Sequence, residues 1–147
     1  ADLRTHSEGL IALTAGGEGS VVRLLSDGQA AKARTVLETL AGIYPERLYV
    51  EVSRRGDPAE EAAEGALIDL AYTLDLPLVA TNPALYAEPG FHAAHDAMLC
   101  IADSAYVDSP ERRRSSEHAW LKGEAEMATL FEDLPESLAN TAVVAQR

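Results

Sequence analysis

The sequence has one cysteine, few aromatic residues, few basic residues and no long hydrophobic run. A single thiol among 147 residues excludes an internal disulfide and is typical of a protein from a reducing cytoplasm. No segment approaches 18 consecutive apolar residues and the N-terminus does not have the pattern of a signal peptide, so we expect a cytoplasmic protein without a membrane span. Twelve basic against 24 acidic residues give a net charge of -12, which disfavours direct binding to DNA or RNA phosphates.

The composition is that of a globular protein with a hydrophobic core. Hydrophobic residues make up 47% of the chain, and 147 residues are enough for one domain but few for two. Cys100 lies in an apolar run and is expected to be a small buried side chain. The chain begins with Ala rather than Met and enters a predicted strand almost at once, so we expect a piece of a longer protein.

Three short apolar segments, residues 9–14, 47–53 and 76–82, predict buried strands. A helical pattern between the first two begins at Val21, is interrupted by Gly28 and ends at Pro45. The next helix has Asp57 as its N-cap, Pro58 at its first position and Glu60 placed for a capping box. Further helices are predicted for residues 91–102, 124–131 and 135–146.

The alternation of strands and helices predicts an α/β fold with a parallel sheet, because crossovers of this length join parallel strands. Parallel sheets need both faces covered, and three strands are few for a complete fold. The pattern therefore predicts one arc of an α/β barrel or one side of an open sheet.

In such folds, ligands bind at the carboxyl ends of the strands. The first of these ends, TAGGEG (residues 14–19), is either a phosphate cradle or a plain tight turn, and it lacks a P-loop lysine. At the second, Glu51 is a metal ligand, a general base, or the partner of Arg54 or Arg55 in a salt bridge.

The third strand end is followed by a histidine pair. His92 and His95 share one helical face, and with Asp96 they could hold zinc or manganese. Pro83 and Leu85, however, stand where further ligands would be expected, and neither side chain has a donor atom. Ordinary hydrogen bonding at a helix start is the alternative.

A basic cluster, Arg112 to Arg114, lies in a turn-rich segment. It would touch a phosphate or an acidic neighbouring domain, or it would be a solvated loop face paired with Glu111 and Glu117.

Seven segments carry a resemblance to a known family, in that family's order and spacing. They are GLIALT (9–14) with Gly16, RLYVE (47–51), LPLVATN (76–82), AHDAMLCI (94–101), YVDSP (106–110) with Arg112 and Arg113, EMA (126–128) with Leu130 and Phe131, and DLPESLAN (133–140). Together they resemble the C-terminal half of the PHP (polymerase and histidinol phosphatase) domain of bacterial DNA polymerase III alpha subunits, from about Glu8 to Arg147.

The resemblance implies the later part of a distorted (β/α)₇ barrel in residues 1–105, with residues 106–147 forming a connection and helices that lead toward the polymerase palm. The family pattern TND-x-H-Y/F places two metal ligands after the third strand, and here those positions are Pro83 and Leu85. The implied role is structural, with a degenerate metal site, no catalytic residue and no cofactor in this segment. The catalytic aspartates and Mg²⁺ would belong to the palm, and DNA would be bound only through the parent protein.

The implied partners are the remaining PHP and palm domains and the proofreading exonuclease subunit. Two other functions remain open. One is a metal-dependent phosphoesterase or 3′–5′ exonuclease that uses Glu51, His92 and His95 as replacement ligands. The other is a free-standing flavodoxin-like binding domain, which predicts independent folding, whereas a barrel fragment predicts exposed strand edges and self-association.

Overall fold

The structure is a computed structural model that describes residues 3–147. Its centre is a parallel sheet of three strands, β1 (Ala12–Leu13), β2 (Leu48–Ser53) and β3 (Leu78–Thr81), in the order β1-β2-β3. The register pairs Ala12 with Leu48 and Val50 with Leu78. Because all three strands run the same way, their carboxyl ends meet at one edge of the sheet.

Among residues 3–147, six α-helices surround or follow the sheet. They are α1 (Ser20–Ser26), α2 (Ala30–Ile43), α3 (Pro58–Thr73), α4 (His92–Ala102), α5 (Glu124–Leu130) and α6 (Pro135–Ala145). Short 3₁₀ turns at Gly16–Glu18 and Pro89–Phe91 precede α1 and α4. The order strand, helix, strand, helix, strand is the one that the hydrophobic pattern predicts.

The core lies between the sheet and the helices. Val50 and Leu37 are 0% exposed and pack in one cluster with side chains of α1, α3 and β3. Phe131, just after α5, is also 0% exposed and belongs to the same cluster. Burial of one phenylalanine side chain stabilises a fold by about 1.5–3 kcal/mol, so the C-terminal helices are part of this core.

The C-terminal helix is also bonded directly to the sheet. The side-chain amide of Asn140 in α6 donates to the backbone carbonyl of Leu78 in β3 at 2.8 Å. Within the ladder, the backbone groups of odd-numbered residues in and next to β3 point toward β2, as in the bond from the Val50 amide to the Pro77 carbonyl. The Leu78 carbonyl therefore points away from β2, and it accepts its hydrogen bond from a side chain rather than from a further strand.

The local predictions agree with the structure, with small differences at the ends. The strands are shorter than predicted, because ladder pairing covers only Ala12–Leu13 of residues 9–14 and Leu78–Thr81 of residues 76–82. Gly28 has φ +71° and separates α1 from α2, as expected. Asp57 caps α3 by accepting from the Ala59 and Glu60 amides. The predicted capping box is wrong, since the Glu60 side chain turns to other partners.

The α/β class with parallel strands is confirmed. The division at residues 105 and 106 remains a prediction, and its first two residues lie outside the described part of the chain. Cys100 is buried, 5% exposed, as its apolar surroundings predict. No helix among residues 3–147 is long and apolar enough to cross a membrane.

Candidate functional site

Glu51 connects all three strand ends at the carboxyl edge of the sheet. Its Oε1 accepts from the Thr81 hydroxyl of β3 at 2.7 Å, and its Oε2 accepts from the Ala15 backbone amide, just after β1, at 3.0 Å. Its own amide donates to the Thr14 hydroxyl at 2.9 Å. Ala15 has φ 67°, a left-handed conformation that costs a non-glycine residue roughly 1–2 kcal/mol. The bond to Glu51 offsets part of that cost.

A second carboxylate, Glu60 in α3, holds the turn that follows β1. The Glu60 side chain is only 7% exposed, accepts from the Gly17 amide at 2.7 Å and from the Ser53 hydroxyl at 2.7 Å, and lies 3.3 Å from Arg55. A Cβ added to Gly17 would stand 2.9 Å from Glu60, so the contact requires glycine there.

These two carboxylates decide between the two interpretations of the TAGGEG segment. The amides of Ala15 and Gly17, which a phosphate cradle would offer to a ligand, already donate to Glu51 and Glu60. An anion at this turn would have to displace a carboxylate of the chain itself. The structure therefore favours the tight turn over the phosphate cradle.

The predicted salt bridge between Glu51 and a neighbouring arginine is wrong. Successive residues at a strand end point in different directions, and Arg54 turns to Glu64 (2.7 Å) and Asp133 (2.6 Å). Hydrogen bonds from Asp133 and then Glu64 raise the pKa of the Arg54 guanidinium above its ordinary value. Arg55 pairs with Glu60 and, at 3.6 Å, with Asp57.

The two positions after β3 where the family pattern has metal ligands carry hydrocarbon side chains in this chain. Pro83 is half-buried and Leu85 is 51% exposed, and neither side chain carries a nitrogen, oxygen or sulfur atom. The Nδ2 atom of Asn82 is buried and has no hydrogen-bond partner within the described residues. An amide N–H group is a donor and not a metal ligand.

The two histidines of α4 converge on one serine of the connecting segment. The Nε2 atom of His92 lies 3.2 Å from the Ser115 carbonyl, and the Nδ1 atom of His95 lies 3.0 Å from the Ser115 hydroxyl. A carbonyl only accepts, so Nε2 of His92 carries the proton in this contact and offers no lone pair. The Tyr86 ring lies 5.8 Å and 5.6 Å from the two imidazoles.

Arg112 of the basic cluster departs from the predicted solvated loop, whereas Arg113 and Arg114 are exposed. The Arg112 side chain is 3% exposed and binds Asp96 through two hydrogen bonds of 2.5 Å, and Arg113 binds Asp103 at 2.9 Å. The predicted pairing with Glu111 and Glu117 is therefore wrong. The Arg112 guanidinium holds the pKa of Asp96 below its ordinary value.

Backbone bonds fasten the same segment to the exit of β3. The Leu85 amide donates to the Ala119 carbonyl, and the Leu121 amide donates to the Tyr86 carbonyl. The Tyr86 hydroxyl donates to the Ser116 carbonyl at 2.7 Å. Sequence reasoning missed these contacts because they join residues about 30 positions apart, and neither partner carries a motif.

The positions of the candidate ligands give little support to the alternative in which this segment binds a metal ion. No group of three or more His, Cys, Asp or Glu side chains within residues 3–147 is close enough to hold one metal ion. Glu51 and the two histidines, proposed as replacement ligands, make separate hydrogen bonds with different partners. Within residues 3–147, these three side chains are therefore not arranged around one common point.

A cleft of about 650 Å³ opens beside the connecting segment. Its walls include Arg55, Arg113, Arg114, His95 and Leu85. Arg114 is exposed on this wall, and its positive charge contributes, after Arg112, to the lowered pKa of Asp96.

Comparison with known proteins finds that the chain is similar to DNA polymerase III alpha subunits. No family model matches it. It is similar to segments of the DNA polymerase III alpha subunits of Caulobacter vibrioides (46% identity over 147 residues), Pseudomonas aeruginosa (42% over 146) and Escherichia coli (37% over 142). These alignments cover 100%, 99% and 96% of this chain but only 12–13% of each relative. The resemblance to that subunit is thus confirmed, and the chain spans about an eighth of the relatives' length.

Proposed function

We propose that this chain is a bracing segment of a replicative DNA polymerase, the alpha subunit of DNA polymerase III, and contributes no catalytic residue to DNA synthesis. Identity of 46% across all 147 residues supports this assignment. DNA-directed DNA synthesis and its Mg²⁺ ions would belong to other parts of the longer polypeptide. The net charge of -12 agrees with a segment that does not itself hold DNA.

The finer proposal is that the chain forms the later part of a PHP-type barrel. Parallel sheets are normally covered and extended, whereas β1 here is a two-residue edge strand with Leu10 51% and Leu13 40% exposed. The unpaired amide of Asn82 would find an acceptor in further barrel residues. The partners of this segment would then be the remaining barrel and palm domains of the same polypeptide, and the proofreading exonuclease subunit on the outside.

One observation carries the bracing role: the carboxyl edge of the sheet is held together by the chain's own side chains. Glu51 joins the three strand ends, while Pro83 and Leu85 put carbon at the positions of the family's ligand pair. Such an edge has a mechanical role and provides no reacting group.

The test is a metal analysis of the full-length protein. The same preparation is assayed for extension of a DNA primer. We expect primer extension with added Mg²⁺ and substoichiometric zinc and manganese after dialysis. The double variant Pro83→Asp/Leu85→His, which restores two donor side chains, is the matched comparison for metal retention. Stoichiometric zinc or manganese in the unaltered protein would overturn the degenerate-site proposal.

The arginine-walled cleft favours one second candidate, a phosphoesterase or 3′–5′ exonuclease. Arg114 and His95 stand on its wall, and a phosphate group would suit both. This function predicts trimming of DNA 3′ ends that a chelator abolishes and that His95→Ala removes. Trimming that persists in His95→Ala would exclude this chain as its source.

A further inference from the structure

Helix α4 is inverted with respect to an ordinary surface helix. A helix at the surface of a globular protein turns its apolar stripe inward and its charged residues to water. In α4 the polar residues His92, His95 and Asp96 are half-buried on the same side as Cys100, whereas the apolar residues other than Leu99 and Cys100 are exposed.

The inward side of α4 is fixed by polar contacts to the connecting segment. Asp96 is bound by the buried guanidinium of Arg112 through two hydrogen bonds, and His95 is bound by Ser115. At the end of the helix, Asp103 pairs with Arg113. Contacts at both ends of this side prevent the helix from rotating to bury its other face.

The outward side is apolar along its whole length. Ala94, Met98 and Ile101 follow one another at i, i+4 and i+7, and Met98 and Ile101 are 65% and 80% exposed. Phe91 (50%) extends the stripe at one end and Tyr106 (84%) extends it at the other. We call these five residues the α4 face. A contiguous exposed apolar surface of this kind marks a protein contact.

Acidic residues stand at both ends of the α4 face. Glu88 lies before Phe91, and Asp108 and Glu111 lie after Tyr106, and all three are exposed. Within residues 3–147 none of them lies within ion-pair distance of a basic side chain, although the charge of Asp108 contributes to the raised pKa of Arg112. A surface complementary to this one is apolar at its centre and carries Lys or Arg at its rim.

We propose that the α4 face docks against such a surface, apolar with a basic rim, in another part of the same polypeptide. This inference rests on the proposed function, because it takes the chain as one segment of a longer alpha subunit. About seven-eighths of each relative's length lies outside the matched segment. A surface on the same polypeptide is present at high effective concentration, so it occupies the face before a separate partner does.

The experiment places a photo-crosslinking amino acid at Ile101 of the full-length protein. The matched control is the same amino acid at Ala31, an exposed position of α2 near Lys32, Arg34 and Thr35. We expect the Ile101 probe, and not the Ala31 probe, to crosslink within one polypeptide to a peptide outside these 147 residues. Crosslinking to a second copy, crosslinking to a separate subunit, or equal yields at the two positions would each overturn the inference.

The acidic rim is tested by the variant Asp108→Lys/Glu111→Lys in the Ile101-probe background. Loss of two attractive contacts and gain of repulsion should lower the crosslink yield by about fivefold at low salt. An unchanged yield would overturn the basic-rim assignment. Primer extension by the same preparation separates the two proposals: extension without a crosslink refutes only the docking, and absence of extension refutes the proposed function.

Discussion

Replacement of Glu60 by alanine should be among the most destabilising single changes at the edge of the sheet. Glu60 is 7% exposed and accepts two hydrogen bonds of 2.7 Å, from the Gly17 amide and the Ser53 hydroxyl. Hydrogen bonds to a charged group each contribute about 1.5–3 kcal/mol, and their donors would be left partly unsatisfied. Water entering the space of the lost side chain recovers some of this. We therefore expect the free energy of unfolding to fall by about 3 kcal/mol.

The assay is urea unfolding of the chain followed by circular dichroism at the helix band. Glu61→Ala is the matched control, because Glu61 is the next residue of α3 and is exposed, so its loss should change stability by less than about 0.5 kcal/mol. Glu60→Gln keeps the shape and one acceptor and should fall between the two. Equal unfolding free energies for Glu60→Ala and Glu61→Ala would refute the assignment of Glu60 as the residue that holds the turn.

Three further predictions follow from the same structure. Gly19→Ala would place its Cβ against a backbone carbonyl and should destabilise strongly, whereas Gly65→Ala, in open space on α3, should stabilise by about 0.5–1 kcal/mol, both read from urea midpoints. Arg112 lowers the pKa of Asp96 from 3.8, so this pair stabilises the fold above that pH, and its contribution is lost as the pH falls through the folded-state pKa. The variant Asp96→Asn should therefore flatten the dependence of the urea midpoint on pH in that acid range. An unchanged dependence would count against the pair. Cys100, 5% exposed, should react with a thiol reagent far more slowly in the folded chain than in urea, and equal rates would contradict its burial.

Signals that act over a few residues could be predicted from the sequence. Asp57 and Pro58 mark the start of α3, because the cap and the fixed proline φ operate within one helical turn. Gly28 divides α1 from α2 for a similarly local reason, a φ of +71°. Strand ends were less accurate, since ladder pairing depends on the neighbouring strand and not on the segment itself.

The partners of charged residues could not be predicted, because they are set by the fold. Glu60 looks like a capping-box residue from its spacing to Asp57, yet its partner Gly17 lies 43 positions away. Arg112 looks like a loop residue among other arginines, yet it is buried against Asp96. The inverted orientation of α4 was missed for the same cause, since hydrophobic pattern alone assigns apolar residues to the inside.

The way in which Glu51 joins the strand ends has a consequence for the conditions under which this edge keeps its shape. Both carboxylate oxygens find their donors inside the chain, one on each side of the central strand. The alignment of the three strand ends is therefore maintained by hydrogen bonds within the chain and forms when the polypeptide folds. We therefore expect the bonds from Ala15 and Thr81 to Glu51 to persist in the presence of a chelator.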